Sequence, residues 1–230
     1  MTTLAPDLIV SLRKLDSCTV CNAIERLDVR LKNEGFADSS IRCLTPSATP
    51  LVGYAATVRI RCSNPPKEGR NFVDRTDWWS WLASIPIPHV VVIQDVDEEP
   101  GMGSFIGEVH TNILLALGCV GAITNGSVRA LPKVRQTPFQ LFAGSVSVSH
   151  AYAHIVDFGE PVEIGGLSIQ AGDLLHADMH GVLSVPLDNA GQVLQAAEQV
   201  LEQKRRLVEF CRSPQFSVAG LRDAVNGIYH

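Results

Sequence analysis

Two groups of residues in this chain have the types and spacing to do chemistry, and both lie between Gly101 and Pro186. The first joins a helix start to an arginine. In GMGSFIGEVHTNILLALGCVGA, the residues Gly107, Glu108, Val109 and His110 open a helical pattern. Their N–H groups have no intrahelical partner and stand at the positive end of the helix. Such an end binds a carboxylate or a phosphate, and a glycine there lets the ligand approach the backbone closely. In ITNGSVRALP, Arg129 follows an apolar strand and is placed to grip the same anion through its planar fork. The second group is rich in imidazole. His176, Asp178 and His180 are two residues apart, so on a strand they project to one face. His150 and His154 precede them in SHAYAHIVDFGEP. Histidine and carboxylate in this density are candidates for metal ligation or proton transfer.

The elements that must position these groups are legible from periodicity. HVVVIQDV (89–96) is a continuous apolar run and predicts a strand buried on both faces; Val120 to Thr124 predicts another. If the two are parallel, the loop at Gly101 and the arginine at 129 leave the sheet at the same edge, where open α/β sheets hold ligands. The helix that starts at Gly107 is expected to bury Val109, Ile113, Ala116 and Leu117 and to end at Gly118. Leu8, Leu12 and Leu15 predict a first helix. LDSCTVCNAIERL predicts a second, opened by Asp16 and Ser17, with Cys18 and Cys21 as small packed residues. GYAATVRIRC reads as a strand, Pro65 to Gly69 as a loop, and DRTDWWSWLASIP as a short helix with Trp78, Leu82 and Ile85 inward. Short strands follow from Phe139 to Pro186. A long amphipathic helix from Ala190 to Arg212 and a last one from Ser217 to Gly227 close the chain.

The 230 residues are 46% hydrophobic and 19% charged, with a net charge of −5. A substantial core is therefore expected, and without a basic stripe a nucleic-acid surface is not. No apolar run reaches the ~20 residues of a spanning helix, so no membrane partner is expected. No secretory leader is visible, and six scattered cysteines suit a reducing, cytoplasmic setting. The plan that emerges is one α/β domain over 1–230. It has N-terminal helices over 1–50, a core with a mixed sheet over 51–188, and C-terminal helices over 189–230.

Taken in order, TVCNAIERL, GYAATVR, Gly107-Glu108, the Gly118–Gly121 spacing, Arg129, EPVEIGGLSIQAGDLLHAD and HGVLSVP resemble the RraA-like family. That family includes the class II pyruvate aldolases that cleave 4-hydroxy-4-methyl-2-oxoglutarate, and a regulator of ribonuclease E. The resemblance implies a swivelling β/β/α-type sandwich with a mixed central sheet, assembled as a homotrimer or hexamer. It also implies that Gly107, Glu108, Val109, His110 and Arg129 bind a small carboxylate substrate. Family enzymes hold Mg2+ or Mn2+ mainly through an aspartate directly after the arginine; here that residue is Ala130, which has no donor. A second family aspartate is replaced by His180.

Three readings follow. One is a lyase of the aldolase or oxaloacetate decarboxylase type, with Arg129, Glu108 and His180 catalytic and Asp178 as a substitute metal ligand. The second is a metal-free enzyme using His176 or His180 as acid or base. The third is a non-catalytic binding or regulatory protein. No nucleotide cofactor is expected.

Overall fold

The structure is a computed structural model and describes residues 3–66 and 75–229. Of the predicted loop Pro65–Gly69, positions 67–69 lie outside the described residues. The helices are α1 (Pro6–Leu12), α2 (Ser17–Leu27), α3 (Arg75–Ser84), α4 (Glu108–Ala116), α5 (Leu131–Val134), α6 (Ala190–Arg212) and α7 (Val218–Tyr229). The strands are β1 (Arg42–Cys43), β2 (Leu51–Arg61), β3 (His89–Asp95), β4 (Ser104–Ile106), β5 (Cys119–Val128), β6 (Gln140–Val146), β7 (His154–Phe158), β8 (Val162–Ile164), β9 (Leu167–Ile169), β10 (Leu174–Asp178) and β11 (Gly181–Val185).

Nine strands form one mixed sheet in the order β1-β6-β5-β3-β2-β10-β11, with β4 added to β5 and β7 to β2. Strands β2, β3, β5 and β6 are parallel neighbours, whereas β10 runs antiparallel to β2 and β11 to β10. The β8–β9 hairpin stands apart. Both faces of the sheet are covered, which is why its central strands read as unbroken apolar runs. On one face Ala56, Val58, Ile60, Val91 and Ile93 pack with Trp78 and Leu82 of α3 and Leu114 of α4. Val52, Tyr54 and Leu174 on that face pack with α1, α2 and α6 through Leu12, Ile24 and Val193. On the other face Ala55, Val90, Val92 and Ile123 meet Val162, Ile164, Leu167 and Ile169 of the hairpin. Alternate residues of β2 and β3 thus feed different cores, as a period of two requires.

Local signals behave as read at the start of α2 and the end of α4. Asp16 caps α2, its carboxylate accepting the Thr19 N–H at 2.8 Å. Gly118 follows α4 at φ +89°, a conformation that suits glycine. The face of α4 differs from expectation. Its buried residues are His110, Thr111 and Leu114, while Val109 is 74% exposed. The helix lies against α3 and the turn after β4, so its inward stripe is rotated away from Val109.

Candidate functional site

Strands β3 and β5 are parallel, and the segments that leave them meet at one edge of the sheet. From β3 the chain passes Asp95, Asp97 and Gly101, adds β4 beside β5, and turns at Gly107 into α4. Gly107 is the N-cap of α4 and offers no side-chain cap, so the helix start keeps its free N–H groups. Arg129 leaves β5 at the same level. Its N–H donates to Ile106 O at 3.0 Å, and its side chain lies along Gly107. A Cβ on Gly107 would stand 3.1 Å from Arg129 Cγ and 3.3 Å from Nε, so a larger residue here would press the arginine side chain aside. The Arg129 guanidinium donates to Val148 O at 3.2 Å and remains exposed. Gly107, Glu108, Val109, His110 and Arg129 are therefore neighbours at one corner, the candidate cradle, with Glu108 and Val109 exposed and His110 buried.

Ala130 caps the short α5 with φ 56° and ψ 32°, a left-handed conformation. Its methyl offers nothing to a cation. Behind the cradle the hydroxyls of Ser104, Ser127 and Ser147 lie 3.0–3.1 Å from one another, and Ser127 Oγ donates to Gly103 O. On the same edge, Cys62, Asp95 and Asp97 bring three ligand atoms within 4.8 Å of one another and could hold a metal ion. The sequence signal for this group is Asp95 and Asp97 at the end of an apolar strand.

The donors of that triad fit Mg2+ or Mn2+ poorly. Burial, reinforced by Asp95 and Asp97, pushes the Cys62 thiol up to about 12, so it is protonated at neutral pH. It donates to Gly103 O at 3.5 Å. Burial also raises the Asp95 carboxyl, although N–H groups of Gly101 and Asp97 bond to it. For Asp97 burial acts upward too, but hydrogen bonds from the Cys62 N–H and from Ser63 hold it below the usual value. Two carboxylates and a thiol are not the all-oxygen set that a hard cation prefers.

The imidazole cluster does not assemble at the cradle. His176 and Asp178 are on β10, which runs against β2 so that Ala177 pairs with Leu51 at the start of β2. Arg129 lies beyond the far end of β2, about 30 Å away along the strands. His176 is fully buried. Its Nε2 faces the carbonyls of Leu12 and Leu15 at 3.2 and 3.0 Å, so Nε2–H is the donor there and Nδ1 accepts from Ser17 Oγ at 3.0 Å. Asp178 accepts the Ser17 N–H at 2.8 Å and the N–H and Nδ1–H of His180 at 2.8 and 3.0 Å. This is a latch between the start of α2 and β10. His150, by contrast, reaches Ser104 O near the cradle at 2.9 Å, and His154 pairs β7 with the far end of β2. The antiparallel turn of β10 separates the four histidines into two pairs at opposite ends of the sheet. Within one chain, Asp178 and His180 are thus apart from Glu108 and Arg129.

The sequence model of the RraA-like family, described as Aldolase/RraA, matches residues 17–184. Over 94 residues, 40% of this chain, the sequence is 27% identical to a Halalkalibacterium halodurans protein named "Putative 4-hydroxy-4-methyl-2-oxoglutarate aldolase", of which the match covers 45%. The chain spans less than half the length of the curated relatives it matches. Among solved structures, an uncharacterized protein from Pseudomonas syringae pv. tomato has a TM-score of 0.76 at 23% identity, covering 98% of this chain and 96% of that one. Streptomyces coelicolor RraAS2, described as an unusual member of the RNase ES inhibitor RraA family, has a TM-score of 0.69 at 23% identity, covering 89% and 98%.

Proposed function

Because this chain belongs to the RraA-like family, we propose that it is a carbon–carbon lyase acting on pyruvate-related 2-oxo acids. The type is that of the 4-hydroxy-4-methyl-2-oxoglutarate aldolases and oxaloacetate decarboxylases. The observation that carries the reading is the uncapped start of α4 with Arg129 laid against Gly107. In this reading the N–H groups of Gly107 to His110 and the Arg129 guanidinium receive the carboxylate and C2 oxygen of a 2-oxo acid. When the bond to C3 breaks, its electron pair becomes a pyruvate enolate, and negative charge grows on the C2 oxygen. Donors already aimed at that oxygen lower the barrier without reorganising. Glu108, exposed on the first turn, is in this reading the carboxylate that exchanges a proton with C3.

Mg2+ or Mn2+ would add Lewis-acid stabilisation of the enolate, but position 130 supplies no ligand and the triad of Cys62, Asp95 and Asp97 suits such ions poorly. No step is assigned to a metal. His180 and Asp178 enter this site only from a second copy of the chain. A homotrimer or hexamer is supported by the exposed apolar rim of Met102, Val109, Val146, Val148 and Tyr152 along the cradle edge.

The deciding measurement is pyruvate release by purified protein from 4-hydroxy-4-methyl-2-oxoglutarate and from oxaloacetate, with and without Mg2+ or Mn2+. Release above the uncatalysed rate is expected, and Arg129→Ala should weaken binding of oxalate, an enolate mimic, by about tenfold or more, the worth of a charged hydrogen bond. The other reading, a non-catalytic RraA-like binding protein, is favoured by Ala130; it takes over if neither substrate yields pyruvate.

A further inference from the structure

Among the buried polar atoms with no hydrogen-bond partner in the described residues are His110 Nε2, Trp78 Nε1 and Trp79 Nε1, next to the cradle. They share one neighbourhood. Both indoles stand edge-on to the His110 imidazole, with ring centroids at 5.9 and 6.4 Å and interplanar angles of 85° and 90°. Phe105 closes another side at 4.6 Å. His110 itself is only 8% exposed. Its Nδ1 lies 2.7 Å from Phe105 O, so Nδ1 carries the proton and Nε2 presents a lone pair. Two donors and one acceptor left open in a buried aromatic cage are an expensive arrangement unless something completes them.

We propose that His110 Nε2 and the indole N–H groups of Trp78 and Trp79 form a receptor for one hydroxyl group, and that His110 is the proton acceptor for the alcohol of a 4-hydroxy-2-oxo acid held in the cradle. This rests on the lyase reading above. A hydroxyl has the complementary groups for all three: its oxygen can accept from the indoles and its hydrogen can be donated to Nε2. The same imidazole belongs to His110, the fourth residue whose backbone lines the cradle, and the C4 oxygen of a substrate anchored there by its carboxylate must turn to the His110 side to meet it. In the aldol step the hydroxyl proton passes to Nε2 and the C4–O bond becomes a carbonyl. The C3–C4 pair moves to C2–C3 to give the enolate, which then takes a proton at C3, and the imidazolium releases its proton to solvent. The indole N–H groups stabilise the oxygen while it bears charge.

Trp79 is the partly exposed residue of the cage. A base must be neutral, and burial, aided by Arg75 of α3 and His150 of the β6–β7 loop, holds this imidazole below the usual histidine range. Arg75 lies over the Phe105 ring at 5.4 Å, and Glu108 is the exposed carboxylate on the same helix. Water is the other hydroxyl that fits the cage, and the two sources are separable by experiment.

Oxaloacetate has no C4 alcohol, so its decarboxylation does not call on this proton acceptor. The test is the ratio of aldol cleavage to decarboxylation in one preparation. His110→Asn keeps a donor for Phe105 O and removes the base, and should lower that ratio by about 100-fold, the usual worth of a general base. Trp79→Phe keeps a ring and removes one donor, and should lower it by about tenfold. Equal losses in both reactions, or no loss in either, overturn the proposal, because a merely structural histidine would move both alike. The second arm uses indole 15N–1H spectra of the unmodified protein. Adding 4-hydroxy-4-methyl-2-oxoglutarate should shift the Trp78 and Trp79 signals, and pyruvate should not. Identical spectra with the two ligands mean that the cage takes water alone, which also overturns the proposal. If neither substrate turns over, the lyase reading falls, while these shifts still decide whether the cage takes a substrate hydroxyl.

Discussion

Ala130 sits in a left-handed backbone conformation that costs an L-residue with a plain methyl roughly 1–2 kcal/mol. Glycine has no such penalty, and aspartate tolerates the region better because its short polar side chain bonds locally. Ala130→Gly should therefore stabilise the fold by about 1 kcal/mol, a rise of roughly 2–4 °C in Tm for a chain of this size. Ala130→Asp should be at least as stable as the parent and should place a carboxylate next to the Arg129 cradle. Its pyruvate release should become dependent on Mg2+ or Mn2+ and be lost in EDTA. If the activity and oxalate affinity of Ala130→Asp ignore the metal, this position does not face the site. That Ala130 carries no donor atom is plain in the sequence. The backbone conformation is not, because an alanine gives no local signal for it.

Between α2 and β10, four polar residues do what a capping side chain does at an ordinary helix start, with the added reach of a strand. Asp178 places its charge on the Ser17 N–H at the positive end of α2, and His176 ties the Leu12 carbonyl at the end of α1 and the Leu15 carbonyl in the connection to α2. Burial lowers the His176 pKa from 6.5, more than the Leu12 and Leu15 carbonyls and the Asp178 charge raise it. Its neutral form is therefore the folded form. As pH falls below 6.5 the unfolded chain takes up a proton that the fold does not, so stability declines there. Asp178 acts lower down: burial raises its pKa, but the Ser17 and His180 hydrogen bonds outweigh this and hold it below 3.8. Its contribution is present above that value and is lost as pH falls through the folded pKa. His176→Leu should cost about 1–3 kcal/mol near neutral pH by leaving the Ser17 hydroxyl and two carbonyls unpaired. It should also flatten the decline on the acid side of the histidine range, which thermal melts from about pH 5 to 8 would reveal. A variant with an unchanged pH slope would remove His176 from this role. His176 and Asp178 share β10 as their spacing predicts, but His180 lies in the turn that follows the strand, where Asp178 holds it. Which end of the sheet they occupy depends on the antiparallel pairing of β10 with β2, a long-range choice that no local spacing encodes.

Across the whole molecule, the buried parallel strands, the helical termini and the edge where β3 and β5 deliver their loops follow from hydrophobic periodicity. The face of α4 and the grouping of Cys62 with Asp95 and Asp97 do not, because both depend on how distant elements pack. That packing leaves the cradle edge unusually apolar for a surface. Val148 is 95% exposed, Val109 74%, Met102 59%, Tyr152 55% and Val146 54%, and clustered exposed apolar residues mark contact surfaces. Met179, 73% exposed, stands beside His180 at the other end of the sheet. A head-to-tail contact joining the cradle edge of one copy to the Met179 end of the next closes a ring when the rotation permits. It would also bring His180 to Arg129. Light scattering on the eluting protein should therefore give three or six times the 24.9 kDa chain mass. Val148→Glu should weaken assembly by about tenfold or more, since burying one valine is worth about 1.5–3 kcal/mol. Mixing Arg129→Ala with His180→Ala subunits should restore part of the activity that each lacks alone, because one interface in the mixed ring then carries both intact residues. A monomer at micromolar concentration, or mixtures no more active than their components, would confine the site to Gly107–His110 and Arg129 of a single chain.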